Sequence, residues 1–122
     1  MSIGMSDAVT QVLATALDGV SARQSVIANN IANVDTPNFR ATSVDFESQL
    51  QAAIDDGEFA AADGAPVDVS MTATPTDTPV GANGNNVDLR KETLAGVQSQ
   101  YQYQVLTRAV SDHFANIKTA TM

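Results

Sequence analysis

The chain has 122 residues, of which 43% are hydrophobic and 5% aromatic, with no tryptophan. That length holds at most one domain, and since the apolar residues are mostly Ala and Val its core must be thin. A formal net charge of -8 excludes nucleic acid and an anionic membrane surface as partners, and zero cysteines exclude disulfides and thiolate metal sites.

No apolar run reaches the roughly 18 to 20 residues that span a bilayer. The first residues, Met1-Ser-Ile-Gly-Met-Ser-Asp, have no basic region and do not resemble a cleavable secretory signal. The expectation is a cytosolic chain, or one exported by a route that needs no such signal.

Residues 6–34 form the first predicted helix. Leu13, Val20, Ile27 and Val34 recur every seven residues, and Leu17 and Ile31 follow Leu13 and Ile27 by four. Together they make an alternating three-and-four stripe, interrupted at Gln24. Ser6 is the expected N-cap, with Asp7 in the positive first turn. Pro37 ends the helix, because the residue before a proline is pushed out of helical geometry.

From Phe39 to Asn86 the character changes. Phe39, Val44, Phe46 and Leu50 punctuate a polar stretch, and residues 45–54 suit one short helix. Beyond Asp55 the chain is Ala, Asp, Gly, Thr and Pro, broken by Pro66, Pro75 and Pro79. Val67, Val69 and Met71 alternate and suit one short strand. No Lys or Arg lies between Arg40 and Arg90, while most of the acids do. So little apolar surface predicts a mobile acidic loop over residues 55–84.

Residues 87–121 form the second long helix, with Asn86 or Asp88 as N-cap. It carries two offset stripes: Leu94, Val97, Tyr101 and Val105, then Tyr103, Leu106, Val110, Phe114 and Ile117. A helix that is apolar on more than one side has more than one partner. Two helices alone bury too little to offset the entropy of ordering them, so the chain is expected to fold fully only against other subunits.

At the end of the first helix stand Asn29, Asn30 and Asn33. As physics alone, such a cluster reads as a frayed helix end. The order is more specific. Asn30-Ile31-Ala32-Asn33, then Thr36-Pro37 and the aromatic Phe39, resembles the motif of the bacterial flagellar axial proteins of rod and hook. That family usually has Gly before the aromatic. Here it is Asn38, the next best residue for a left-handed turn, and Arg40 supplies the usual basic residue. Val44-Asp45-Phe46-Glu47 extends the match, and Asn85-Asn86-Val87-Asp88-Leu89, Glu92 and Tyr101-Gln102 resemble the C-terminal region of the proximal-rod members.

The resemblance implies a mainly α fold: two long terminal helices paired as an antiparallel coiled coil, joined by an extended, largely irregular acidic segment. Residues 1–37 would be the N-terminal core helix, 38–86 the connector and 87–122 the C-terminal core helix, with both ends forming one structural domain. It further implies a structural subunit of the proximal rod in the periplasm, exported without a cleaved signal and forming part of a helical tube. Its partners would be other rod subunits, the adaptor FliE, the membrane ring and the export apparatus. The assembly seam would use Leu13, Leu17, Val20, Ile27, Ile31, Val34, Leu94, Val97, Tyr101, Val105, Leu106, Val110, Phe114 and Ile117.

Enzymatic readings find little support. His113 is the single histidine, beside Phe114 near the end of the second long helix. A lone His there is more often a surface or interface residue than a base, and with no Cys a His-Cys metal set cannot be completed. Asp55, Asp56, Glu58, Asp63 and Asp68 lack the alternate-position spacing of a calcium loop, and Gly81 and Gly84 lack the Lys and helix start of a phosphate loop. No cofactor is expected. The second reading is a small helical adaptor or chaperone-like protein that binds a partner through the same stripes. It has no need of the Asn/Thr-Pro motif.

Overall fold

Two long helices frame the chain: α1, Ile3–Ala32, and α4, Leu89–Thr121. Between them come β1 (Thr42–Val44), α2 (Phe46–Asp55), α3 (Glu58–Ala61) and β2 (Ala73–Pro75). The structure is a computed structural model that describes residues 3–62 and 67–121. The fold is mainly helical.

α1 begins at Ile3, so Ser6 lies inside the helix and is not its cap. It stops at Ala32, and hydrogen-bonded turns run through residues 33–38 up to Pro37 and beyond. At about 1.5 Å per residue, α1 and α4 are roughly 45 and 50 Å long. Contacts between them run in opposite chain order: Thr10 meets His113, Arg23 meets Gln102, and Ile27 lies beside Gly96.

The contact face of α4 shares Leu106 and Val110 with the second expected stripe and none of the first. Glu92 and Ser99 are buried on it, and Ala95, Gly96, Gln102, Leu106, Val110 and His113 are half-buried. These residues recur at three and four, but several are small or polar. Asp88 caps this helix by accepting a hydrogen bond from the Lys91 N–H at 3.2 Å.

The connector is built and not structureless. Asp45 caps α2, its carboxylate accepting from the Ser48 N–H and hydroxyl, as the short helix predicted from sequence requires. Phe46, first residue of α2, packs where Gly19 of α1 has no side chain, and a Cβ there would collide with its ring. Ala16, Val20, Val44 and Phe46 form one buried cluster, closed by Val26, Leu50, Met71 and Leu106. A second joins Ala53, Phe59 and Val69, with Val12 and Leu50 against it.

The strand expected over Val67, Val69 and Met71 is absent. Their alternation puts the three side chains against the second cluster, and the ladder forms a few residues later. There β2 pairs antiparallel with β1, Ser43 opposite Thr74. The burial of Phe59, Val69 and Met71 is what gives a segment expected to lack structure its α3 and β2. Pro66, expected as a breaker there, lies outside the described residues.

Candidate functional site: an asparagine clasp and an uncovered helix face

The helix-ending motif is held by side-chain amides. Asn30 is fully buried in the last turn of α1, its amide N–H donating to the Thr42 carbonyl at 2.8 Å. The Thr42 N–H returns a bond to the Asn30 carbonyl oxygen at 3.2 Å. One side chain thus replaces a strand neighbour for β1, as only a group with a donor and an acceptor side by side can. Asn33 donates to the Asn29 carbonyl at 2.8 Å and accepts from the Thr36 hydroxyl at 3.1 Å.

The turn is closed from the far end of the connector. Asn85 donates to the carbonyls of Asn33 and Thr36, at 2.8 and 2.7 Å, and accepts from the Val87 N–H. Asn86 accepts from the Ala41 N–H at 2.6 Å and donates to the Thr78 carbonyl at 3.3 Å. Backbone bonds from Asn38 to Asn83 and from Asn86 to Phe39 complete the clasp. Buried peptide groups need partners, and here asparagines supply them where no regular element does.

Asn38 adopts φ 64, the left-handed conformation expected of it. Opposite it Gly84 has φ 80 and no room for a Cβ beside the Asn38 side chain. Of the remaining motif residues, Ile31 and Phe39 are half-buried, while Ala32, Thr36 and Pro37 are exposed. Asn85, noticed in the sequence only for its resemblance, and Asn86, read there also as a possible N-cap, do as much of the holding as the motif itself.

A second polar centre fixes the middle of α1. Arg23 binds the Glu47 carboxylate, the Val44 carbonyl at 2.7 Å and the Gln102 side chain at 3.1 Å. Its guanidinium lies 4.7 Å from the centre of the Phe46 ring. One side chain therefore ties α1, β1, α2 and α4, a task suited to a planar group with five donors. Sequence periodicity gives no hint of it.

The expected seam residues divide. Val20 and Ile27 are buried, and Leu13, Leu17, Ile31, Val34, Leu106, Val110 and Ile117 are half-buried. Leu94, Val97, Tyr101 and Val105 remain 59, 62, 69 and 53% exposed, and Tyr103 and Phe114 are exposed as well. Four large apolar residues in one row on one helix face exceed the scattered exposure usual for a surface. Tyr101 and Val105 also rim a shallow groove whose floor includes Ala16, Val20 and Phe46.

His113 is half-buried, with Nε2 3.1 Å from the Thr10 hydroxyl, so it serves the contact between α1 and α4. Among the described residues no cluster of His, Cys, Asp and Glu is arranged to hold a metal ion, and Asp63 lies outside them. No helix among them is long and apolar enough to cross a membrane.

The sequence that forms these helices and their clasped turn is similar to flagellar rod proteins. Residues 11–40 match the family described as "Flagella basal body rod protein". Over 115 residues the chain is 38% identical to the flagellar basal body rod protein FlgB of Bacillus subtilis, covering 89% of each. It is 34% identical to FlgB of Borreliella burgdorferi over 83% of this chain and 86% of that one. To FlgB of Escherichia coli it is 32% identical over 86% of each. The chain belongs to the FlgB family of flagellar basal-body rod proteins. It is a structural subunit of the rod and not an enzyme, and it assembles with other components of the basal body. The adaptor reading is not favoured.

Proposed function

We propose that this chain builds the proximal rod by pairing α1 and α4 as an antiparallel coiled coil and packing the outer face of α4 against neighbouring subunits in a helical tube. The tube would transmit torque and pass exported subunits. The observation that carries the reading is the uncovered row Leu94, Val97, Tyr101 and Val105, apolar surface that a free monomer has no reason to expose. The opposed contacts Thr10 with His113 and Ile27 with Gly96 support the pairing. In this reading the ends form one structural domain and residues 38–86 are its connector.

The same reading gives the chain a periplasmic site and export without a cleaved signal. Its neighbours are then other rod subunits, the adaptor FliE, the membrane ring and the export apparatus. The test is a strain lacking the gene, complemented with the wild-type chain or with Leu94→Asp/Tyr101→Asp, and electron microscopy of its purified basal bodies. Wild type restores complete rods, while the variant leaves basal bodies that stop before the rod. Complete rods in the deletion strain, or in the complemented double variant, would overturn the reading.

A further inference from the structure

Glu92, singled out within the C-terminal resemblance, has no place in the clasp or on the outer face. It lies in the first turn of α4 and is only 7% exposed. Its carboxylate lines a cleft of about 490 Å³ between α1, β1 and the start of α4. The cleft walls are apolar at Val26, Ile27, Val44, Pro75 and Ala95 and polar at Thr42, Ser43, Thr76 and Asp77, the last a second carboxylate. Among the described residues that carboxylate has neither a hydrogen bond nor an ion pair.

The cations nearby are committed elsewhere. Arg23 reaches the same cleft, but its guanidinium is held by Glu47, Val44 and Gln102. Lys91 also lines the cleft, with its ammonium 3.3 Å from the Thr78 hydroxyl and no ion pair to Glu92. The dipole of α4 favours a carboxylate in its first turn, yet an exposed one would serve as well. A neighbour that closed the cleft would strip this carboxylate of solvent, which is unfavourable unless a cation arrives with it.

We propose that this cleft receives an arginine or lysine side chain of a neighbouring rod subunit, its charged head paired with Glu92 and its apolar stem lying along Val26, Ile27 and Ala95. Long basic side chains suit such a place, since their stems cover apolar surface while their heads keep a polar partner. The proposal rests on the rod reading, because the ligand comes from an adjacent subunit. It adds a charged recognition point to the apolar packing of the outer face, and in the free chain it leaves a carboxylate waiting for its partner.

The test uses the full chain in two settings. For the isolated protein, Glu92→Gln leaves helicity by circular dichroism equal to or above wild type, because in the free chain the carboxylate has no partner to lose. In cells, the same variant reduces the number of complete rods at least tenfold. A fall in helicity, or rods at wild-type number, would overturn the proposal. A photo-crosslinker at Ser43, on the cleft rim, should couple to a Lys- or Arg-containing peptide of another subunit in purified basal bodies, and one at Tyr101 serves as control. Coupling from Tyr101 but none from Ser43 removes the cleft and spares the rod reading. Silence from both removes the two together.

Discussion

Asn30, fully buried, and the half-buried Thr42 exchange two hydrogen bonds, side-chain amide against backbone peptide. The last turn of α1 is thereby fastened to the first residue of β1, so the helix end and the sheet are one structure. Asn30→Ala would leave both Thr42 groups unpaired, at about 1 to 3 kcal/mol for each group that water cannot reach. Asn30→Asp keeps the acceptor, loses the donor and buries a charge. Both variants should lower the urea midpoint of the purified chain, Asp at least as much as Ala.

A second pair tests the turn. Gly84→Ala places a methyl group against the Asn38 side chain at a positive φ, combining a clash with about 1 to 2 kcal/mol of left-handed strain. Asn38→Gly removes the obstacle but not the strain. The double variant should therefore recover part of what Gly84→Ala loses, and a double-mutant cycle on urea midpoints should show coupling above about 0.5 kcal/mol. Strict additivity would mean that the two positions do not meet.

The two faces of α4 should separate in assay. Ile27→Asp and Leu106→Asp place a carboxylate in the contact between α1 and α4, and should abolish both motility and much of the helicity of the isolated chain. Val97→Asp lies on the uncovered row and should abolish motility while leaving helicity unchanged. Swimming retained by the Ile27 and Leu106 variants would remove the helix pairing from the account.

Purified wild-type chain should be monomeric and only partly helical when dilute, because α4 leaves so much apolar surface uncovered. A sharp cooperative melt above about 60 °C in a dilute monomer would contradict this.

The connector offers a test with a reversed outcome. Composition alone makes residues 60–69 dispensable, yet Val69 is buried with Phe59 and Ala53. Phe59→Ala should cost about 3 to 5 kcal/mol where that cluster is formed. Limited proteolysis should then cut the variant near Gly57 faster than wild type.

How much of this was legible follows from what each residue type signals. The long helices, the cap at Asp88 and the left-handed Asn38 were readable, because heptad spacing, cap chemistry and turn chemistry are local. The ladder between Thr42–Val44 and Ala73–Pro75 was not, since three-residue strands carry too little alternation to register. Nor did the sequence tell which stripe of α4 meets α1. Apolar periodicity marked Leu94, Val97, Tyr101 and Val105, while the face in contact includes Ala95, Gly96, Ser99 and Gln102, whose small or polar side chains raise no such signal. The roles of Arg23 and Asn86 arise only once distant segments meet.

The contacts Thr10 with His113 and Arg23 with Gln102 join nearly opposite ends of the chain, and they have a consequence in time. During synthesis α1 emerges first and its partner last, at about 5 to 20 residues per second. Through that interval α1 can settle on β1, α2 and α3, but the side that meets α4 has nothing to lie on, and closing so long a loop must precede any reward from that pairing. A ribosome halted before α4 therefore holds a chain whose first helix is fastened to the connector and still open along the side that awaits its partner.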